Sequence, residues 1–411
     1  MLKNIFFLIL FGFSIILPQR SRPVYFEDHI IPADSQITYY LSYRIPYNNL
    51  VFVKQNGSYT SGITLNVEAK NSESKEFFRE STFNSVEAGS YEDTESENDY
   101  AEGVVKLILP AGDYSVFPSL KINNIQRDIN FKPLKINSSK IKKFLDPFVV
   151  SNETVCGEDE NLLLRNFAGD IPFSAKESKL LIAAIDSVKN NLSFKIIQKD
   201  KLIFEETIIP VEAKNIIIEE CENGLALKTE EGGDAFYLYE LKGLSSRLIE
   251  GKAKIEIYKE EKFIDTLNTG ISWIEKPASL YDMKSAIENL SLIAESEDIK
   301  RIKSAEEDER YEAFLNYWKS FDPTPETSYN EIMAEFYGRV DEADEKFAPA
   351  DDTKGSKTDR GEIYIKYGEP DSVNRFSSDE YASVELWKYT DLNLEFYFAD
   401  NSGLGNFRLI E

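Results

Sequence analysis

The stretch Gly355-Ser356-Lys357-Thr358-Asp359-Arg360-Gly361-Glu362-Ile363-Tyr364-Ile365-Lys366-Tyr367-Gly368-Glu369-Pro370-Asp371 decides how the C-terminal part of this chain is read. Thr358-Asp359 and Gly368-x-Pro370-Asp371 are strong turn formers, because Asp accepts from nearby amides, Gly admits positive φ and Pro fixes its own φ. Between them Ile363, Ile365 and Tyr367 alternate with Tyr364 and Lys366, the period-two signature of a strand. The expected order is turn, strand, turn.

Moving outward toward the N-terminus, the period changes at Pro277 from two residues to about 3.6. Ser279 is expected to cap a helix with Leu280, Met283, Ile287, Leu290 and Ile293 on its apolar face. A second helix is expected from about Ser296 to Ser320, stopped by Asp322-Pro323-Thr324-Pro325. Ser328 with Glu331 has the spacing of a capping box opening a third helix, with Ile332, Phe336, Val340, Ala343 and Phe347 on one face. C-terminal to Asp371, strands are expected at Ser383–Tyr389, Leu394–Ala399 and Asn406–Ile410. This region therefore reads as three helices followed by an antiparallel sheet.

Gly355, Thr358, Asp359, Arg360, Gly361, Gly368, Pro370 and Asp371, in this order and spacing, resemble the GWxTD domain family, whose pattern is Gly-Trp-x-Thr-Asp-Arg-Gly, a short strand and Gly-x-Pro-Asp. Ser356 stands where the family has its tryptophan, which removes a ring from the motif. Asn330, Glu331, Phe336, Tyr337, Arg339, Val340 and Phe347 match the family's preceding helix. The resemblance covers roughly Glu309 to Glu411. It implies an exported bacterial protein and no particular reaction.

The 411 residues exceed one ordinary core, and we read three domains behind a leader. Lys3 and the apolar run Ile5 to Leu17 resemble a signal peptide, assigned to 1–22; the run is too short for the roughly 20 residues of a membrane span. No transmembrane span is expected in the mature chain, and the location expected is the periplasm or cell envelope. Cys156 is the first cysteine, so lipoprotein processing is not expected.

Residues 23–137 and 138–275 each read as an antiparallel β-sandwich. In the first, Ile37, Tyr39, Leu41, Tyr43 and Ile45 alternate with polar partners, and so do Ile63, Leu65, Val67 and Ala69. The corner Pro110-Ala111-Gly112-Asp113-Tyr114 lets the tyrosine fold back over its own turn. In the second, Phe194–Ile197 and Leu202–Phe204 flank Lys199-Asp200-Lys201 as a hairpin. Residues 276–411 form the α+β domain. The fold class expected is thus mainly β, two sandwiches followed by an α+β module.

The formal charge of −25 disfavours nucleic acid and anionic lipid as partners. His29 is the only histidine, read as exposed or at a strand edge, so Ser-His-Asp and Cys-His nucleophile systems and histidine-rich zinc sites are not expected. No phosphate-cradling glycine loop is present, and no cofactor or metal is expected. Cys156 and Cys221, 64 residues between them, are either paired in one domain or two buried thiols. The acidic segment Glu87–Glu102 reads as a solvated loop, with calcium binding the lesser reading.

The polar set that stands out is Asp359, Arg360 and Asp371, with Glu385 and Trp387 on the strand expected next. These residues either converge on a groove for a peptide or sugar, or close their own turns and fill the space between helices and sheet. The leading expectation is a non-enzymatic envelope protein that binds or scaffolds another envelope protein. The alternative is a carbohydrate-binding or carbohydrate-cleaving protein using its acidic and aromatic residues.

Overall fold

The computed structural model describes residues 24–410 apart from 34, 123–126, 138–142, 156–157, 167–169, 186–189, 222–223, 232–235, 245–246, 351–352, 378–379, 402 and 404. The segment 1–22, read in sequence as a signal peptide, and Cys156 lie outside the described residues.

The first β region contains β1 (Tyr25–Pro32), β2 (Gln36–Pro46), β3 (Val53–Gln55), β4 (Ser58–Asn71), β5 (Phe77–Ala88), the short helix α1 (Tyr91–Thr94), β6 (Tyr100–Pro110), β7 (Tyr114–Ile122), β8 (Arg127–Asn130) and β9 (Leu134–Ile136). One sheet has the order β1-β2-β6; the other centres on β4, which pairs with β3, β5 and β7. Ile37, Tyr39, Leu41, Tyr43 and Ile45 of β2 meet Ile63, Leu65, Val67 and Ala69 of β4 in one core. Alternation puts every second side chain on this side, so the two inner faces interdigitate as a sandwich. The Tyr114 hydroxyl donates to Pro110 O at 2.7 Å, closing the corner that the sequence announces. The acidic segment, read as loop, begins its helical turn at Ser90, whose hydroxyl accepts from Asp93 N at 3.1 Å while Asp93 accepts from Ser90 N at 2.9 Å.

The second β region contains β10 (Phe148–Val155), β11 (Glu158–Leu164), β12 (Asp170–Pro172), β13 (Lys179–Ala184), β14 (Leu192–Gln198), β15 (Lys201–Ile208), β16 (Val211–Cys221), β17 (Gly224–Glu230), β18 (Phe236–Leu241), β19 (Gly251–Lys259) and β20 (Lys262–Ser272). Its five-stranded sheet runs β12-β20-β19-β14-β15. The facing strands close on themselves as β10-β11-β17-β16-β18-β13. The sequence reading had an open sheet there; closure follows from β10 and β16 each pairing on both sides, with register shifts that bend them. Lys199 and Asp200 have φ of 49° and 59°, the left-handed pair that a tight hairpin turn requires.

The two β regions touch through a face that looks solvent-directed in the sequence. Tyr40, Ser42 and Arg44, the polar alternates of β2, are buried. Tyr40 joins Phe148, Leu181, Leu225 and Leu227 in a second core, so β2 is covered on both sides. Arg44 pairs with Glu102 at 2.7 Å, donates to Leu164 O at 2.9 Å and also reaches Asn166 O. His29 lies on the edge strand β1 but is buried, its ring stacked on Phe148 at 4.7 Å. Desolvation, with Arg44 nearby as a second cause, lowers its pKa to about 3.

The C-terminal region holds α2 (Met283–Leu290), α3 (Ser296–Ser304), α4 (Glu307–Trp318), α5 (Glu331–Lys346) and α6 (Asp359–Tyr367), then β21 (Ser372–Phe376), β22 (Ser383–Tyr389), β23 (Leu394–Asp400) and β24 (Arg408–Leu409) in one antiparallel sheet. Several helix starts differ from the sequence reading. Asp282, not Ser279, caps α2 by accepting from Lys284 N and Ser285 N, while Ser279 N is held by Asp341 at 3.0 Å. The long helix expected from Ser296 breaks at Ala305, whose backbone is extended. Asn330 caps α5 in place of Ser328, and Glu331 instead accepts from Thr324.

Candidate functional site

The largest departure from the sequence reading lies in the motif itself, where residues 361–367 are helix rather than strand. Alternation predicts Tyr364 opposite Ile363 and Ile365, with Tyr367 on their side. Instead Ile363, Tyr364 and Ile365 are all buried and Tyr367 is 37% exposed. Thr358 decides the matter, because its hydroxyl accepts from Gly361 N at 3.1 Å and so satisfies an orphan amide of a first helical turn. Asp359 and Glu362 in that turn favour the positive end of the helix dipole. Consecutive apolar residues are tolerated because α5 packs on one side of α6 and the core shared with the sheet on the other.

Close approach explains two of the glycines. A Cβ on Gly355 would strike the Ala343 carbonyl of α5, and one on Gly361 would strike the Gly355 carbonyl. Gly368 ends α6 at φ 82°, and its carbonyl accepts from the Tyr389 hydroxyl at 2.9 Å. Ser356 is fully buried; its amide donates to Asp344 Oδ1 at 2.8 Å, while its buried Oγ has no hydrogen-bond partner among the described residues.

Glu385 is the centre of the polar set and is 1% exposed. It accepts from Arg360 Nη1 at 3.2 Å, from Arg375 Nε at 2.8 Å and from Trp387 Nε1 at 3.2 Å. Arg360 also donates to Gly405 O at 3.2 Å, and its guanidinium lies 4.1 Å from the Phe407 ring and 5.2 Å from Phe347. Burial pulls the Arg360 pKa below its ordinary value, while Glu385 opposes that shift. Trp387 packs on Phe347 at 5.3 Å and Phe398 at 4.9 Å, joining α5 to the sheet.

The structure brings Arg360, Glu385 and Trp387 together but places the two aspartates elsewhere. Asp359 Oδ2 accepts from Leu409 N at 2.7 Å, which ties the start of α6 to β24. Asp371 accepts from Thr390 N at 2.5 Å and donates its amide to Lys388 O at 2.9 Å, pinning the start of β21 to the end of β22. Pro370, between Gly368 and this tie, is half-buried.

Sequence reasoning missed Arg375, Asp344, Asp400 and β21 as parts of this set. Asp400 accepts from Gly403 N at 3.0 Å and Gly405 N at 2.7 Å, fixing the loop that offers its carbonyl to Arg360. The Asp400-x-x-Gly403-x-Gly405 spacing carries that signal. Ser372 to Phe376 is short, follows a strong turn and sets its apolar residues Val373 and Phe376 three apart, which hides a strand.

Among the described residues, no three His, Cys, Asp or Glu side chains form a group that could hold a metal ion. Among the same residues, no helix is long and apolar enough to cross a membrane. Cys221 is disulfide-bonded.

Residues 273–409 match the family model of the GWxTD domain. The match begins at Trp273, whose ring packs on Tyr329 at 5.4 Å and on Phe173 at 5.7 Å, so the GWxTD domain includes the end of what reads in sequence as the second β region. No curated protein matches the chain. Among solved structures, domains 4–9 of surface layer protein SbsC align at 10% identity with a TM-score of 0.20, over 61% of this chain and 31% of that one. At that score the likeness carries no argument.

Proposed function

We propose that this is an exported, non-enzymatic protein of a bacterial cell envelope, in which the β regions present the GWxTD domain to another envelope protein. The observation that carries the reading is β21. Its five residues Ser372–Phe376 are all exposed, with Val373 43% and Phe376 46% accessible. It is an edge strand of its sheet, paired with β22 on one side. Such an edge is a template for an added strand, with main-chain bonds supplying affinity and alternate side chains supplying selectivity. The motif supports the same reading, since Asp359, Arg360 and Asp371 are engaged with backbone groups and Glu385 rather than facing a cleft.

Domain limits of 23–137, 138–275 and 276–411, a leader at 1–22 and a Cys156–Cys221 bridge belong to this proposal. The test is cross-linking and capture from envelope extract with the full chain and with Val373→Pro, which removes an edge-strand amide; because Val373 pairs with Trp387 across the ladder, an unchanged tryptophan melting curve must show that the variant folds. A partner held by the native chain and lost in the variant is the expected result. A partner retained at equal yield by the variant overturns the role of β21.

A further inference from the structure

The GWxTD sheet has two edges, and they are finished differently. In an antiparallel ladder the residues of an edge strand alternate, one bonding inward and the next turning its N–H and C=O out of the sheet. Ile410 N donates to Tyr397 O at 2.8 Å, its opposite number in the β23–β24 register, so Leu409, one place earlier, turns outward. That outward amide is already taken, because it donates to Asp359 Oδ2 at 2.7 Å. Phe407, the next outward position, donates to Gly405 O at 3.1 Å. Both N–H groups that this edge could offer to a further strand are therefore satisfied from within the domain.

Helix capping alone does not account for the placement of Asp359. Thr358 serves the first-turn amide of α6 at Gly361, and Asp359 carries its carboxylate away from the helix, Oδ2 to Leu409 N and Oδ1 toward Arg408 Nη1 at 3.7 Å. A carboxylate set over an outward amide acts twice on an incoming strand. It removes the donor that the strand's carbonyl needs, and it places negative charge where that carbonyl oxygen would sit. Covering and charging an edge is how β proteins keep sheet from adding to sheet. The hazard is present at β24, where Leu409 and Ile410 are 41% and 46% exposed. At the opposite edge all five residues of β21 are exposed, and its one charge, Arg375, is matched by Glu385 at 2.8 Å.

Topology makes the difference matter. The sheet runs β21-β22-β23-β24 with every pairing antiparallel, so its two edge strands point in opposite directions. A second copy set beside the first would bring β24 of one against β21 of the next as an antiparallel pair, a head-to-tail contact that repeats without closing. A docking sheet open at both edges would thus build filaments of its own kind in place of taking a partner.

We infer that Asp359 is an edge guard: it seals the GWxTD sheet at β24 and leaves β21 as the edge of that sheet that can take a further strand. What β21 takes rests on the docking reading above; the seal is tested with no partner present, so a failed capture from extract leaves this test standing. The measurement is sedimentation velocity of the full chain over a wide range of concentration. The native chain is expected to stop at two copies at most, joined β21 to β21. Asp359→Ala frees the Leu409 amide and is expected to grow with concentration into a series of larger species, and adding Val373→Pro to it is expected to abolish that series. Asp359→Asn keeps an oxygen acceptor and is expected to sediment as the native chain does. Tryptophan melting shows that each variant folds. Hydrogen exchange at the Leu409 amide is expected to be about 10- to 100-fold slower in the native chain than in Asp359→Ala, the factor that corresponds to a hydrogen bond to a charged acceptor. Native-like sedimentation of folded Asp359→Ala, association that survives Val373→Pro, or an unprotected Leu409 amide in the native chain overturns the inference; the last reads the seal without any variant.

Discussion

Replacing Glu385 by Gln keeps the shape of the side chain and removes its charge. Arg360 would then stand with its guanidinium between Phe347 and Phe407, and without its carboxylate partner. Breaking one partner of a buried ion pair costs about 3 to 5 kcal/mol, because the remaining charge stays desolvated. For a unit of the size of the GWxTD domain, roughly 3 to 4 °C is lost per kcal/mol, so the midpoint should fall by about 10 to 20 °C. The assay follows from the sequence. The chain has 3 tryptophans, and Trp273, Trp318 and Trp387 all belong to the core of this domain. Tryptophan emission therefore follows its unfolding while leaving the β regions dark. Glu395→Gln removes the acceptor of an exposed pair, 2.7 Å from Lys388, and should leave the midpoint where it was. Arg360→Met with Glu385→Leu removes both charges and should recover most of the loss. A Glu385→Gln midpoint equal to that of the native chain refutes the reasoning.

Other consequences are checked by the same kinds of measurement. Gly355→Ala and Gly361→Ala force a methyl against a carbonyl and should each destabilise the domain by about 1 to 3 kcal/mol in tryptophan-monitored denaturation. Ser356→Ala removes a buried hydroxyl that has no partner among the described residues, so the midpoint should hold or rise by about 1 kcal/mol in stability. For His29 the folded pKa, about 3, lies below the ordinary 6.5, so between those values the unfolded chain binds a proton that the folded chain refuses. Stability then falls as pH drops through this window, and His29→Gln should reduce that slope in tyrosine or circular-dichroism melts. Cys221→Ser should lower the β-region transition by about 4 kcal/mol if the loop to Cys156 is the one closed, leaving the tryptophan transition in place.

The β regions were legible because half-buried strands record their pleat in the sequence: the alternation at Ile37–Ile45 and Ile63–Ala69 reappears as the two walls of one core. What alternation could not give was the environment of the other face. Tyr40, Ser42 and Arg44 read as solvent-facing, yet they are covered by the barrel, a contact between segments far apart in the chain. The same limit explains α6. Ile363-Tyr364-Ile365 fits either period when a helix is covered on opposite sides, and only the Thr358 cap, with acidic residues after it, distinguishes helix from strand. The motif aspartates read as closers of their own turns, yet they accept from Leu409 N and Thr390 N on distant strands. The convergence of Arg360, Arg375 and Trp387 on Glu385 was equally hidden, since it depends on how β22 lies against the helices.

The central claim is that the motif is an internal tie between helices and sheet and not an open groove. Arginine modification of the folded full chain with phenylglyoxal, mapped by peptide mass spectrometry, tests it directly. Arg375, 72% exposed at its side chain, should react readily, and Arg360, 11% exposed, should react only once the domain unfolds. Equal rates at the two positions in the native chain would contradict the account.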